Sequence, residues 1–175
     1  QKKLYAGRTP DQIFTLESDF DAETLVTTLK NAGFKKLIVT AKHHDGFCIW
    51  NSAYTDYDIA STSYKNGEGD ILAEISEACT AANMDMGLYL SPWDVAESTF
   101  GANGGTIDNA YNEYYNNQLE EILSNPKYGN KGHFVEVWMD GANGYNNVPQ
   151  TYNFEKWFAT IQKYEGKEAG YKADC

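Results

Sequence analysis

The segment Phe134-Val135-Glu136-Val137-Trp138-Met139-Asp140-Gly141-Ala142-Asn143-Gly144 decides how this chain is read. A short apolar run with β-branched Val135 and Val137 ends in a carboxylate, and a Gly-rich polar loop follows at once. Such a pattern describes a buried strand that delivers an acid to the mouth of a fold. Asp-Gly is also an ordinary turn pair, in which the Asp side chain bonds its own loop. Two similar strand ends upstream favour the functional reading of Asp140.

Working outward, each strand is preceded by a helical pattern. Asp21 is placed to cap a helix whose apolar positions Ala22, Leu25, Val26 and Leu29 fall at helical spacing, with Gly33 at its stop. Leu37-Ile38-Val39 follows as a short strand that empties into Lys42-His43-His44-Asp45-Gly46-Phe47. Asp70 caps a second helix facing inward with Ile71, Leu72, Ile75, Ala78, Cys79 and Ala82. The strand Met86–Leu90 then ends in Ser91-Pro92-Trp93-Asp94. A third helix carries Tyr111, Tyr115, Leu119, Ile122 and Leu123 on one stripe, with Pro126 just past its end. A fourth starts near Asn153 and is expected to bury Phe154, Trp157, Phe158 and Ile161. Residues 1–20 show no sustained period and read as an irregular lead-in.

Alternation of helix and short apolar strand predicts parallel βα units. Thr40, Leu90 and Met139 recur at near-even intervals, and the long polar loops all follow strands. In an α/β barrel that face holds the active site. A complete barrel needs eight strands and typically about 250 residues, whereas this sequence has 175. The expected fold class is therefore α/β, part of a (β/α)8 TIM-like barrel with about three βα units. Residues 1–175 would form a single partial catalytic barrel domain, its N-terminal strand and C-terminal half lying elsewhere. The alternative is a small open α/β sheet, although no Gly-rich phosphate loop supports a doubly wound nucleotide binder.

A net charge of −11 argues against nucleic-acid or anionic-membrane partners. No apolar run is long enough to span a bilayer. Cys48, Cys79 and Cys175 cannot all pair, and their spacing does not suggest zinc. The 13 tyrosines and 4 tryptophans fit a Tyr-rich core and surface, but also a sugar site, which needs flat apolar faces beside hydrogen-bonding groups. The opening Gln1-Lys2-Lys3 suggests a processed or truncated start.

Adjacent His43 and His44 can reach one site only if their strand has already ended. They suit hydrogen bonding to a polyhydroxylated ligand, a structural pair, or a metal site with Asp45. Trp93 offers a face or an indole N–H, or packs over the rim. Asp94 is either a second carboxylate of the site or an anchor for its loop. Glu136, Trp138 and Asp140 share parity along their strand, and a carboxylate at that end suits glycoside hydrolysis.

Taken in order, Lys42–Phe47, Ser91-Pro92-Trp93-Asp94 and Glu136–Gly144 resemble the α-L-fucosidases of glycoside hydrolase family 29. The resemblance implies a barrel catalytic domain and a retaining exo-acting mechanism through a covalent fucosyl-enzyme. Asp140 matches the nucleophile of the family, and His43 and His44 match histidines that hold fucose hydroxyls. Tyr89 and Trp93 fall where the family contacts sugar, and Trp50 and Trp138 are added as aromatic faces for the fucose ring and methyl group. The Ser-Pro-Trp-Asp and Asp-Gly-Ala-Asn-Gly forms look like the subgroup that cleaves α-1,3/1,4-linked fucose from branched glycans. The expected partner is a fucosylated oligosaccharide or glycoconjugate, together with the rest of the same barrel, with no metal, no organic cofactor and no membrane insertion. A secreted or cell-surface enzyme would fit that role. The general acid/base of the family cannot be placed here, and Glu165 and Glu168 are not assigned to it. Two rival readings remain at this stage: a non-catalytic carbohydrate-binding barrel segment, and a metal-dependent hydrolase using His43, His44 and Asp45.

Overall fold

The computed structural model describes residues 8–16, 20–102, 106–141 and 150–166. Three strands, β1 (Lys36–Lys42), β2 (Asp85–Leu90) and β3 (Glu136–Trp138), form one parallel sheet in sequential order. The helices are α1 (Pro10–Ile13), α2 (Ala22–Asn31), α3 (Ile71–Ala82), α4 (Ala110–Leu123) and α5 (Phe154–Glu165). No described helix is long and apolar enough to cross a membrane.

Four helices begin on an Asx cap, as side-chain competition with the backbone dictates. Asp21 accepts from the Thr24 N–H, Asp70 from Ala73, Asn109 from Asn112 and Asn153 from Lys156, all at 2.9–3.0 Å. Each cap satisfies a backbone donor that would otherwise be orphaned, worth about 1 kcal/mol.

The sheet has two unlike faces. Val39, Ala41, Met86, Leu88, Leu90 and Val137 are buried on one side with the inward stripes of the helices. Ile38, Thr40, Tyr89, Glu136 and Trp138 are at least partly exposed, Trp138 by 47%. On this open face Lys36 pairs with Glu136, which also accepts from the Trp138 indole N–H. The period-two alternation of the strands puts these residues on one side.

Several expectations need correction. The lead-in contains a one-turn helix, α1, where the Thr9 N–H donates to Gln12 Oε1 at 3.0 Å. One turn is too short to show a period, but Thr9-Pro10-Asp11-Gln12 is a legible capping box. Leu25 is 38% exposed and Phe158 is 41% exposed. Only part of the predicted stripes of α2 and α5 is buried, whereas that of α4 is buried throughout. The loop after β1 contains two short 3-10 turns, Ile59–Ser61 and Tyr64–Gly67. Trp50 is fully buried: its indole N–H donates to Glu121 Oε2 at 2.8 Å, which fastens the loop to α4. It is a packing residue, removed from any face a sugar could reach.

Candidate functional site

The site is built where the three strands stop. β1 carries an irregularity between Thr40 and Lys42, so its register against β2 shifts there. Lys42 thereby turns into the core, and the next two residues leave the strand. His43 and His44 are no longer bound by strand alternation, and their ring centroids lie 4.1 Å apart. His43 also stacks on Tyr89, with centroids 5.6 Å apart and planes within 6°. Trp93, from the loop after β2, lies 4.7 Å from the His44 ring.

Asp140 completes the group from the end of β3. The Tyr89 hydroxyl donates to its Oδ2 at 2.8 Å, and the Gly141 N–H donates to Oδ1 at 2.8 Å. The Tyr89 hydrogen bond is the largest influence holding the Asp140 carboxyl below its ordinary value, with Gly141 and the two histidines adding to it. Partial burial pushes the other way and loses. Asp140 is therefore an exposed, ionised carboxylate with one face committed to donors. Burial, followed by the charge of His43, holds His44 below its ordinary value, so its ring is neutral near pH 7.

Gly141 is required by this arrangement. Its φ is +80°, and a Cβ there would lie 2.5 Å from His44 Cε1. The backbone after the carboxylate thus passes directly against the imidazole, an approach open only to glycine. One ligand atom each from His43, His44 and Asp140 lies within 4.8 Å of the others, so these residues have the chemistry to hold a cation. The carboxylate in that grouping is Asp140, not Asp45.

Beneath the site runs a buried polar layer. Lys42 Nζ reaches Asp94 Oδ2 at 3.1 Å and donates to Gln118 Oε1 at 2.7 Å, with both charged side chains essentially inaccessible. Asp94 Oδ1 accepts the N–H groups of Ala96 and Glu97 at 3.0 and 2.9 Å. The Val95 N–H donates to the His44 carbonyl at 3.0 Å. Tyr115 of α4 donates to the Leu90 carbonyl at 2.6 Å, and Tyr111 donates to the carbonyl of Pro92. Asp94 is thus an anchor, and α4 holds the loop that presents Trp93.

The structure therefore brings together His43, His44, Tyr89, Trp93 and Asp140. Trp138 stands beside them, since it pairs with Tyr89 across the sheet on the open face. Trp50 does not join them. Glu165 is also elsewhere: it is buried and accepts from the Phe134 N–H at 3.1 Å, next to His133 at 3.2 Å. That ties the end of α5 to the start of the β3 segment, at the opposite end from the site. Glu168, Cys175 and Ala142–Gly144 lie outside the described residues. Ser91, to which the sequence assigns no role, has a hydroxyl that contacts all three strand ends. A serine gives no periodic or charge signal, and only its place after the strand marked it.

The described residues thus form a parallel βα sheet with a carboxylate–imidazole cluster at the strand C-termini, the end at which α/β folds place their ligand sites. The profile of the alpha-L-fucosidase family matches residues 9–171, and the chain belongs to that family. It is 42% identical over 161 residues to alpha-L-fucosidase 1 of Arabidopsis thaliana, covering 92% of this chain and 30% of that protein. Among solved structures it resembles the Ruminococcus gnavus GH29 fucosidase in complex with fucose, at 66% identity and a TM-score of 0.88, covering 99% of this chain and 36% of that one. The crystal structure of SpGH29 is similar at 46% identity and a TM-score of 0.81, over 90% of this chain and 34% of the other. The chain thus spans about a third of the length of these relatives. Its three parallel strands are consistent with part of a GH29 catalytic domain.

Proposed function

We propose that these residues form the fucose-binding, nucleophile-bearing part of a retaining exo-α-L-fucosidase built on a (β/α)8 barrel. The observation that carries the reading is the ionised Asp140, held by Tyr89 and Gly141 beside two adjoining histidine rings. Membership of the family and similarity to a fucosidase solved with fucose support it.

Asp140 attacks the anomeric carbon of terminal fucose, and the glycosidic bond breaks as the leaving oxygen takes a proton from a second carboxyl. The same carboxyl then removes a proton from water, which displaces the sugar from Asp140 and restores the free enzyme. Retaining geometry sets the two carboxyls about 5–5.5 Å apart. Glu165, committed to the Phe134 N–H at the far end of β3, does not fill that role. His43 and His44 bind sugar hydroxyls, and the Trp93 and Trp138 rings offer apolar faces. The open face of the sheet packs against the remaining strands of the barrel. The Ser-Pro-Trp-Asp and Asp-Gly-Ala-Asn-Gly sequences point to α-1,3/1,4-linked fucose on branched glycans, a substrate that suits a secreted or cell-surface enzyme.

The test is intact mass of the full chain after treatment with a fluorinated fucosyl inhibitor, with peptide mapping. One fucosyl adduct on the peptide bearing Asp140 is expected. An adduct on another peptide, or none despite turnover, sinks the assignment.

A further inference from the structure

Ser91 is fully buried, and its hydroxyl oxygen has four polar neighbours drawn from all three strand ends. His44 Nδ1 lies 2.7 Å away, the Trp93 carbonyl 2.8 Å and the Asp140 carbonyl 3.3 Å, while the Trp93 N–H donates to it at 3.1 Å. A hydroxyl owns one proton and two lone pairs. Both carbonyls can only accept, so the single Ser91 proton belongs to one of them. Were that proton turned to His44, two carbonyl oxygens would face a bare hydroxyl oxygen at the buried Ser91, a costly arrangement. The lone pairs must therefore receive the Trp93 N–H and a proton carried by His44 Nδ1.

We infer that Ser91 is a positioning residue that fixes neutral His44 in its Nδ1-protonated tautomer, leaving Nε2 as a hydrogen-bond acceptor for a substrate hydroxyl. No hydrogen bond reaches Nε2 among the described residues, and the ring is clasped between Trp93, His43 and the Gly141 backbone. The tautomer is set by the protein alone, whereas its use toward fucose rests on the function proposed above. Free imidazole side chains favour the opposite, Nε2-protonated form, so the assignment is a commitment that the fold must enforce. It makes His44 a selective reader: it accepts from a hydroxyl donor and does not donate to an acceptor.

The experiment is long-range proton–nitrogen correlation spectroscopy of the full chain labelled with 15N-histidine, above the titration of His44, with His44→Gln to assign its signals. The native protein should show a protonated Nδ1 and a bare Nε2. Ser91→Ala should move His44 toward the Nε2-protonated form and raise KM for a fucoside about fivefold with little change in kcat. Ser91→Thr, which keeps the hydroxyl, should restore both. An Nε2-protonated His44 in the native protein overturns the inference without any variant having to fold, and so does an unchanged tautomer in a folded Ser91→Ala protein. Adding fucose separates the two claims. A native Nδ1 tautomer that fucose leaves untouched supports the role of Ser91 and counts against the fucosidase reading, while a fucose-shifted Nε2-protonated His44 does the reverse.

Discussion

Asp94 and Asp140 both follow parallel strands of one sheet, each within a few residues of the strand end, and their surroundings are opposite. Asp94 is 1% exposed, paired with Lys42 and bonded to two backbone N–H groups of its own loop. Asp140 is exposed, and its two donors, the Tyr89 hydroxyl and the Gly141 N–H, leave a carboxylate edge open to a ligand. The difference lies in what the neighbouring elements bring. α4 closes over the β2 loop with Tyr111, Tyr115 and Gln118, whereas Asp140 looks across the open face of the sheet. A carboxylate whose partners are all internal can only hold structure. One with spare lone pairs beside the neutral His44 ring can do chemistry.

The sharpest way to test the contrast is to remove each carboxylate in the full chain. Asp140→Asn should cut kcat by about 10^4-fold or more, since a nucleophile has no substitute, and should leave the thermal unfolding midpoint close to that of the parent. Asp94→Ala should do the reverse in emphasis. It strands the Lys42 ammonium in a buried site and should cost about 3–5 kcal/mol of stability in denaturant titrations. The paired change Lys42→Met with Asp94→Leu removes both charges and should recover most of that loss. A stable Asp94→Ala protein with abolished turnover would dissolve the distinction and place both carboxylates in the chemistry.

That contrast was only half legible in the sequence. The helix caps at Asp21, Asp70 and Asn153 and the three strands could be read from residue pattern, because capping and burial are local or periodic. The place of Asp140 in the cluster was legible because it ends an apolar run and meets a glycine. Asp94 stayed ambiguous because its partner Lys42 is distant in sequence and turns inward only through an irregularity in β1 that no pattern announces. Trp50 was misplaced for a similar reason. A tryptophan in a polar loop looks like a ligand face until Glu121 of α4 is seen to take its N–H. Ser91 was overlooked because its importance lies in contacts with His44 and the Asp140 carbonyl, distant in sequence, which leave no trace in composition.

The smallest effect tests how Asp140 is kept ionised. Tyr89→Phe removes the hydroxyl that is the main influence lowering the Asp140 carboxyl, while the ring that stacks on His43 remains. Burial, which raises it, is retained. The carboxyl must then move upward toward its ordinary range, so a higher pH is needed to ionise it. The acid limb of kcat/KM should shift to higher pH in the variant, and activity near neutrality should fall by less than about tenfold, because Asp140 is still ionised there. The stability linkage carries the same sign. A depressed carboxyl stabilises the fold above its unfolded value and loses that contribution as pH falls through its folded value, so the variant should lose stability relative to the parent above the acid range and converge with it at low pH. A pH profile that does not move would mean that Gly141 and the histidines suffice to hold the charge, and that Tyr89 serves the site through its stacked ring alone.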